Sequence, residues 1–244
     1  MVMPSPPSSS PSSTGLFITG TDTGVGKTLV SCAFIYLLRS RGVDAAGFKP
    51  VASGSSGGLW EDAENLRAAS GNVEPLDAIC PLRFHAPLAP TLAARHEQRA
   101  VELNAARRAL AALRVRRSAV IVEGVGGLLV PLDERTLVLD FAAEAGFPVV
   151  IVCRAALGTM NHTLLTLREL ERSNVAVAGM VMNTTRAEDA AVVAETRGEM
   201  ERIAGRKMLA VLPFIPETLP SHERWARAAA EIEKQIDVAA LLGS

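Results

Sequence analysis

Three stretches of this sequence end in side chains that a buried strand does not need. Gly20-Thr-Asp-Thr-Gly-Val-Gly-Lys-Thr28 follows the apolar run Leu16-Phe-Ile-Thr19. Lys49 stands near the end of Ala45-Ala-Gly-Phe-Lys-Pro-Val51. Glu123 closes Ala119-Val-Ile-Val122 and is followed by Gly124-Val-Gly-Gly127. In the first stretch the glycines expose backbone N–H groups and the next segment has a helical pattern. The helix therefore points its positive end at the turn, and an anion, most often a nucleotide polyphosphate, belongs there. Lys27 is placed to reach the β- and γ-phosphates. The Thr28 hydroxyl suits Mg²⁺, a hard cation that takes oxygen ligands beside phosphates. The generic spacing G-x-x-x-x-G-K-[ST] is missed by one residue, because Thr21 occupies the first position and the glycine is Gly20.

These residues need elements to hold them. Lys27 to Arg41 carries apolar residues at helical intervals and stops at Gly42. Ala45 to Val51 reads as a buried strand with a lysine at its far end, which makes Lys49 a functional candidate. Asp62 to Ala69 reads as a short helix. Asn72 to Pro90 is broken by four prolines and is too long for a plain connection, so it is expected to lie over a site. Glu102 to Leu113 is a helix, and Arg114, Arg116 and Arg117 are read as its solvated end. Strands then follow at Ala119 to Gly127, Pro148 to Cys153, Val177 to Asn183 and Met208 to Pro213. They are separated by helices at Leu137 to Ala145, Asn161 to Ser173 and Ala187 to Ala204, with a last helix over Ser221 to Leu242.

Apolar strands alternating with amphipathic helices predict an α/β fold, a parallel sheet with helices on both faces. Ligands bind at the carboxyl ends of such strands. That rule gathers Thr23 to Thr28, Lys49, Glu123, Leu157 to Asn161 and Asn183 on one edge, across some 160 positions of sequence.

The chain has 244 residues, 48% hydrophobic and 21% charged, with a formal net charge of −1. A single domain over residues 15–244 is expected, behind a disordered Pro/Ser-rich tail over residues 1–14. The charge balance argues against nucleic acid or an anionic membrane as partner, and no apolar run is long enough to span a bilayer. Three dispersed cysteines, Cys32, Cys80 and Cys153, suggest neither a disulfide framework nor a metal site, which fits a reducing cytoplasm.

Taken in order, Gly20-Thr-Asp-Thr-Gly-Val-Gly-Lys-Thr28, Lys49-Pro-Val-Ala-Ser-Gly54, Val122-Glu-Gly-Val-Gly-Gly127 and Leu157-Gly-Thr-Met-Asn-His-Thr163 resemble the signatures of the dethiobiotin synthetase family. The resemblance runs from Leu16 to about Glu217, and the family's loop has the same departure from the generic spacing. It implies a P-loop NTPase fold and an ATP- and Mg²⁺-dependent ligase that joins CO₂ (supplied as bicarbonate) to 7,8-diaminopelargonic acid in biotin synthesis. It also implies a homodimer.

Position by position, the resemblance makes Lys27 and Lys49 catalytic, Lys27 holding the transferring phosphate and Lys49 bridging carbamate and phosphate. Thr28, Asp62 and Glu123 surround Mg²⁺; without the resemblance, Asp62 reads as a charge at a helix N-terminus. The nucleotide is met by Thr23, Gly24, Val25, Gly26, Lys27, Thr28, Leu29, Asp62, Glu123, Gly124, Val125 and Gly126. Asn183 and Thr184 reach the adenine, and Pro213, Phe214, Ile215 and Glu217 lie against base and ribose. Substrate is met by Ser53 and Thr23, and by Leu157, Gly158, Thr159 and Asn161, which receive its carboxylate across the dimer interface. Asn161 also suits a helix cap. His162 is left as a helix-surface residue.

Two other classes compete. An ATP-dependent amidoligase carries a glutamine-hydrolysing domain, for which too few residues follow Glu217. A switch or partitioning ATPase carries a second lysine at the start of the loop, where this chain has Thr21.

Overall fold

The computed structural model describes residues 13–187 and 190–241. Its centre is a six-stranded sheet in the order β2-β5-β1-β6-β7-β8, with every adjacent pair parallel. The strands are β1 (Thr14–Gly20), β2 (Ala45–Phe48), β5 (Ala119–Gly127), β6 (Val149–Arg154), β7 (Val177–Asn183) and β8 (Met208–Leu212). They are mostly apolar because both faces are covered. Alternate side chains point to opposite faces, so Phe17, Val120, Val122 and Ile151 enter one core and Leu16, Ile18, Ile121 and Val152 the other.

The first core is closed by α5 (Leu103–Arg116), α6 (Val138–Ala145), α7 (Thr159–Arg172) and α8 (Ala190–Ala204), through Leu110, Phe141, Leu167 and Met200. The second is closed by α1 (Lys27–Ser40), α2 (Glu61–Ala69) and α9 (Ser221–Glu233), through Phe34, Leu66 and Ile232. Each fully buried Phe or Leu contributes about 1.5–3 kcal/mol. Strand ends are thereby fixed firmly enough to hold polar side chains at the sheet's carboxyl edge. Three-residue crossings complete the fold: β3 (Val51–Ser53) pairs in parallel with β4 (Leu82–Phe84) in a separate small sheet, flanked by α3 (Leu76–Ile79) and α4 (Pro90–His96), and α10 (Val238–Leu241) ends the described chain.

Several expectations are corrected. The strand over Ala45 to Val51 is two strands. Pro50 has no N–H to give a ladder, and the Lys49 N–H donates to the Ile79 carbonyl at 2.8 Å, outside the main sheet. The chain leaves the large sheet there and enters the small one. The irregular span from Asn72 to Pro90 contains α3 and β4, elements too short to show a period. The last helix is broken between Glu233 and Val238, and Leu242 lies outside the described residues.

Two residues expected in the tail are part of the fold: Ser13 is buried and Thr14 pairs with Ala119, while residues 1–12, the rest of that expected tail, lie outside the described residues. The arginines at the end of α5 are held by protein groups. Arg116 and Arg117 both bond the buried Glu74, Arg117 also bonds Asp44, and Arg114 lies over the Phe147 ring.

Candidate active site

A cavity of about 810 Å³ opens at the carboxyl edge of the sheet, between the loop after β1 and the segments after β3, β5 and β8. The loop is held by its glycines and by one amide. Gly26, the residue before α1, has φ +96°, and a side chain there would place its Cβ 2.1 Å from Asn183 Nδ2. That amide donates to the Val25 carbonyl at 3.0 Å. Asn183 at the end of β7 thus buttresses the loop from below. Thr184 is buried behind it.

Midway along β5 the Glu123 carboxylate is completely buried. Its Oε1 accepts from Lys49 Nζ at 2.6 Å and lies 3.0 Å from Thr28 Oγ1. Asp62, in the first turn of α2, meets the same groups: its Oδ2 accepts from Lys49 Nζ at 2.7 Å and its Oδ1 lies 2.8 Å from Thr28 Oγ1. The threonine has one proton, so it donates to one carboxylate at a time. Lys49 therefore sits between two acids at the foot of the phosphate loop.

The electrostatics follow from burial. Desolvation alone would strip the charge from Lys49, but Glu123 and Asp62 outweigh it and hold the ammonium above the ordinary lysine range. Asp62 is pulled below its ordinary value, chiefly by the Lys49 charge. Burial pushes the Glu123 carboxyl up against the pull of Lys49. Lys27 is buried too, its Nζ donating to the Asp22 carbonyl at 2.9 Å. Desolvation lowers it to about 8 despite the opposing field of Glu123, and the neighbouring Lys49 adds to the drop.

The donor set fits Mg²⁺. Glu123 Oε2 is buried with no hydrogen-bond partner among the described residues, which leaves a carboxylate oxygen facing an unfilled role. With the Asp62 oxygens and the Thr28 hydroxyl it makes a set of hard oxygen donors converging from β5, α2 and α1, the kind that this ion prefers.

The predicted residues divide cleanly. Thr23, Gly24, Gly26, Lys27, Thr28, Leu29, Lys49, Ser53, Asp62, Val125, Gly126 and Glu217 line the cavity. Of the 72–90 span its last four residues, Pro87 to Pro90, are in the cavity wall, so it is the end of that span that lies over the site. Val25 and Gly124 are buried supports beneath it. Pro213 and Phe214 are exposed after β8, and Ile215 is buried in the core below.

Leu157, Gly158, Thr159 and Asn161 are not part of this cavity. Leu157 is fully exposed, and Gly158, not Asn161, precedes the first turn of α7. Thr159 is turned into the core and its N–H is used by the Ala156 carbonyl, so its hydroxyl and amide do not face solvent.

The sequence reading missed Asn65, Arg224 and Trp225, which also line the cavity. Asn65 is one turn beyond Asp62 on α2, a spacing that could have found it. Arg224 and Trp225 lie on α9, whose ordinary amphipathic pattern gives no such signal.

Residues 14–221 match the family model described as an AAA domain. The ATP-dependent dethiobiotin synthetase BioD of Anaeromyxobacter dehalogenans (strain 2CP-C) is 53% identical over 203 residues, which cover 83% of this chain and 91% of the relative. The ATP-dependent dethiobiotin synthetase BioD of Bacillus cereus (strain B4264) is 37% identical over 201 residues, covering 82% and 83%. Among solved structures, the septum site-determining protein MinD from Pyrococcus horikoshii OT3, complexed with Mg-ADP, superposes with a TM-score of 0.61 at 13% identity, covering 91% of this chain and 94% of that one. A ParA family ATPase from Chlorobium tepidum TLS gives 0.52 at 13% identity, covering 91% and 97%. These two share the P-loop fold. With a matching family model and close relatives across four-fifths of its length, the chain belongs to the family of ATP-dependent dethiobiotin synthetases, which are ligases.

Proposed function

We propose that this protein closes the ureido ring of dethiobiotin from 7,8-diaminopelargonic acid, CO₂ and ATP with Mg²⁺. The observation that carries the reading is the Lys49 ammonium, held at 2.6 and 2.7 Å by Glu123 and Asp62 beside the phosphate loop. A buried lysine fixed by two carboxylates is a rigid positive charge that cannot drift away when anions enter.

One amine adds to CO₂, forming an N–C bond and losing a proton. The carbamate oxygen attacks the γ-phosphorus and ADP leaves. The second amine then attacks the anhydride carbonyl, its N–C bond forms, and phosphate leaves as that nitrogen gives up a proton. Such transfer depends mainly on positioning and on neutralising phosphate oxygens. Lys27 neutralises the transferring phosphate from the loop side, and Lys49 neutralises carbamate and phosphate from the β2 side. Ser53, at the end of β3, orients the amine or carbamate. Thr28, Asp62 and Glu123 would hold Mg²⁺, which would supply charge neutralisation to the phosphate groups.

The position of Leu157 to Asn161 outside the cavity supports a homodimer in which these residues receive the carboxylate of substrate held by a second copy. The positive N-terminal end of α7, which begins at Thr159, suits an anion. The composition and the role together suit a cytoplasmic enzyme.

The test is ATP turnover with Mg²⁺ and bicarbonate, with and without the diamine, following the product by mass. Phosphate release that needs the diamine, with a product heavier by one carbonyl less two hydrogens, is the expected result. Diamine-independent hydrolysis with no new product would overturn the reading.

A further inference from the structure

Three cations line the cavity: Lys27, Lys49 and Arg224. The two lysines are held by protein oxygens, one by the Asp22 carbonyl and the other by two carboxylates. Arg224 is not. Its Nε is buried with no hydrogen-bond partner among the described residues, and Nη2 stands 3.9 Å from Glu217 Oε1, beyond hydrogen-bond length, on a carboxylate that is almost wholly exposed. Other arginines with buried partners, such as Arg117 on Glu74 at 2.8 Å, close their ion pairs. A largely buried guanidinium with unused donors in the wall of a phosphate cavity has the chemistry of an anion site, because its planar fork matches phosphate oxygens.

The sheet order says which part of the nucleotide it meets. Lys49, Ser53, Asp62 and Glu123 come from the β2 and β5 side of the loop, where the transferred phosphate belongs. Arg224 and Glu217 come from the chain after β8, at the opposite end of the sheet, and share the cavity wall with Leu29 in the first turn of α1. The nucleotide must lie between these flanks, with its γ-phosphate toward Lys49 and its nucleoside toward β8. We propose that Arg224 is a nucleotide-binding residue that takes an α-phosphate oxygen of ATP, while Glu217 swings from it to the ribose hydroxyls. The inference rests on the P-loop reading of the cavity and names a contact that no motif in the sequence marks. Trp225 is buried behind it and packs α9 into the second core, so the arginine is presented from a fixed helix.

The experiment is calorimetric titration of the full-length protein with ADP, AMP and adenosine, for the wild type, Arg224→Gln and Arg224→Lys. Arg224→Gln is expected to weaken ADP and AMP about tenfold or more and to leave adenosine within about twofold, since a charge-assisted bond to phosphate is lost. Arg224→Lys, which keeps the charge but loses the fork, should fall between. In turnover, KM for ATP rises while kcat and KM for the diamine stay near wild type. Unchanged ADP affinity in Arg224→Gln overturns the proposal, and so does an equal loss of adenosine, which would assign Arg224 to packing. If Arg224→Gln does not fold, the ADP-to-adenosine affinity ratio of Arg224→Lys decides in the same way. Failure of the dethiobiotin reading shows separately, as wild-type protein that binds ADP yet makes no diamine-dependent product.

Discussion

Lys49 Nζ lies 2.6 Å from Glu123 Oε1, and both side chains are buried. An ammonium and a carboxylate are stable there because each satisfies the other and Asp62 takes a second ammonium proton. Lys49 holds Glu123 Oε1 and Asp62 Oδ2, which leaves Glu123 Oε2 for a divalent cation and keeps the lysine charge fixed where phosphate and carbamate enter. Lys49→Gln should therefore lower kcat about a hundredfold or more and leave ADP affinity within a few-fold. Steady-state kinetics beside ADP titration check this, and a variant that keeps most of its activity removes Lys49 from the mechanism.

Glu123→Gln keeps the shape of the side chain and removes its charge. The free Oε2 is the oxygen that this variant converts or weakens as a metal donor. The Mg²⁺ concentration for half-maximal turnover is expected to rise about tenfold or more, with a smaller rise in Thr28→Val, which loses a neutral donor. Mg²⁺ titrations of the two variants at saturating ATP give the order. A wild-type Mg²⁺ requirement in Glu123→Gln would take the carboxylate out of the metal site.

Gly26→Ala tests the loop. The position has φ +96°, and the added methyl meets the Asn183 amide at 2.1 Å. Either the loop or Asn183 must move, and the bond to the Val25 carbonyl is lost. ADP affinity should fall about a hundredfold, since several loop N–H groups are displaced together, with about 1–2 kcal/mol of lost stability. Isothermal titration and denaturant unfolding separate the two effects. Asn183→Ala should lower ADP affinity by less, because the loop keeps its glycines.

What could be read from sequence, and what could not, follows from the scale of each signal. Lys49 and Glu123 were legible because a charged side chain in or directly after an apolar strand stands out against its neighbours, and Lys27 because it follows a glycine-rich turn. The strand alternation gave the parallel sheet for the same reason. Pro50 turned one expected strand into two, and β3 and β4 are three residues each, too short to carry a period. Arg116 and Arg117 read as a solvated end because their partner Glu74 is more than forty positions away in sequence. Arg224 was invisible: a charged residue in the first turn of an amphipathic helix looks the same whether it faces water or a nucleotide.

That Glu74 cluster sets an acid limit on stability. Burial opposes the Glu74 charge, but bonds from Arg116 and Arg117 win and hold its carboxyl below the ordinary value. A depressed folded value means that the group adds stability above the unfolded value of about 4.5 and that this is lost as pH falls through the lower folded value. Glu74→Gln should cost about 2 kcal/mol at pH 7. The gap from wild type should close as pH drops below about 4.5. Thermal unfolding of both proteins from pH 7 to pH 3 checks the convergence; a gap that stays constant would show that packing, not charge, makes the contribution.

The remote position of Leu157 to Asn161 makes the last prediction. Leu157 is fully exposed and this turn is no part of its own chain's cavity, whereas Lys49 is buried inside it. If each complete site takes Lys49 from one copy and the 157–161 turn from another, two inactive variants can repair each other. Lys49→Gln fails at its own cavity, and Asn161→Ala combined with Leu157→Asp fails the neighbouring one. Unfolded together and refolded as an equal mixture, half of the dimers are mixed, and one of the two sites in each has both parts intact. Activity should return to about a quarter of wild type. Neither variant alone should rise above its own low background, and sedimentation should show a dimer in every sample. A mixture no more active than the average of its parents, or a monomeric wild type, would confine the active site to one chain and leave the 157–161 turn without a substrate role.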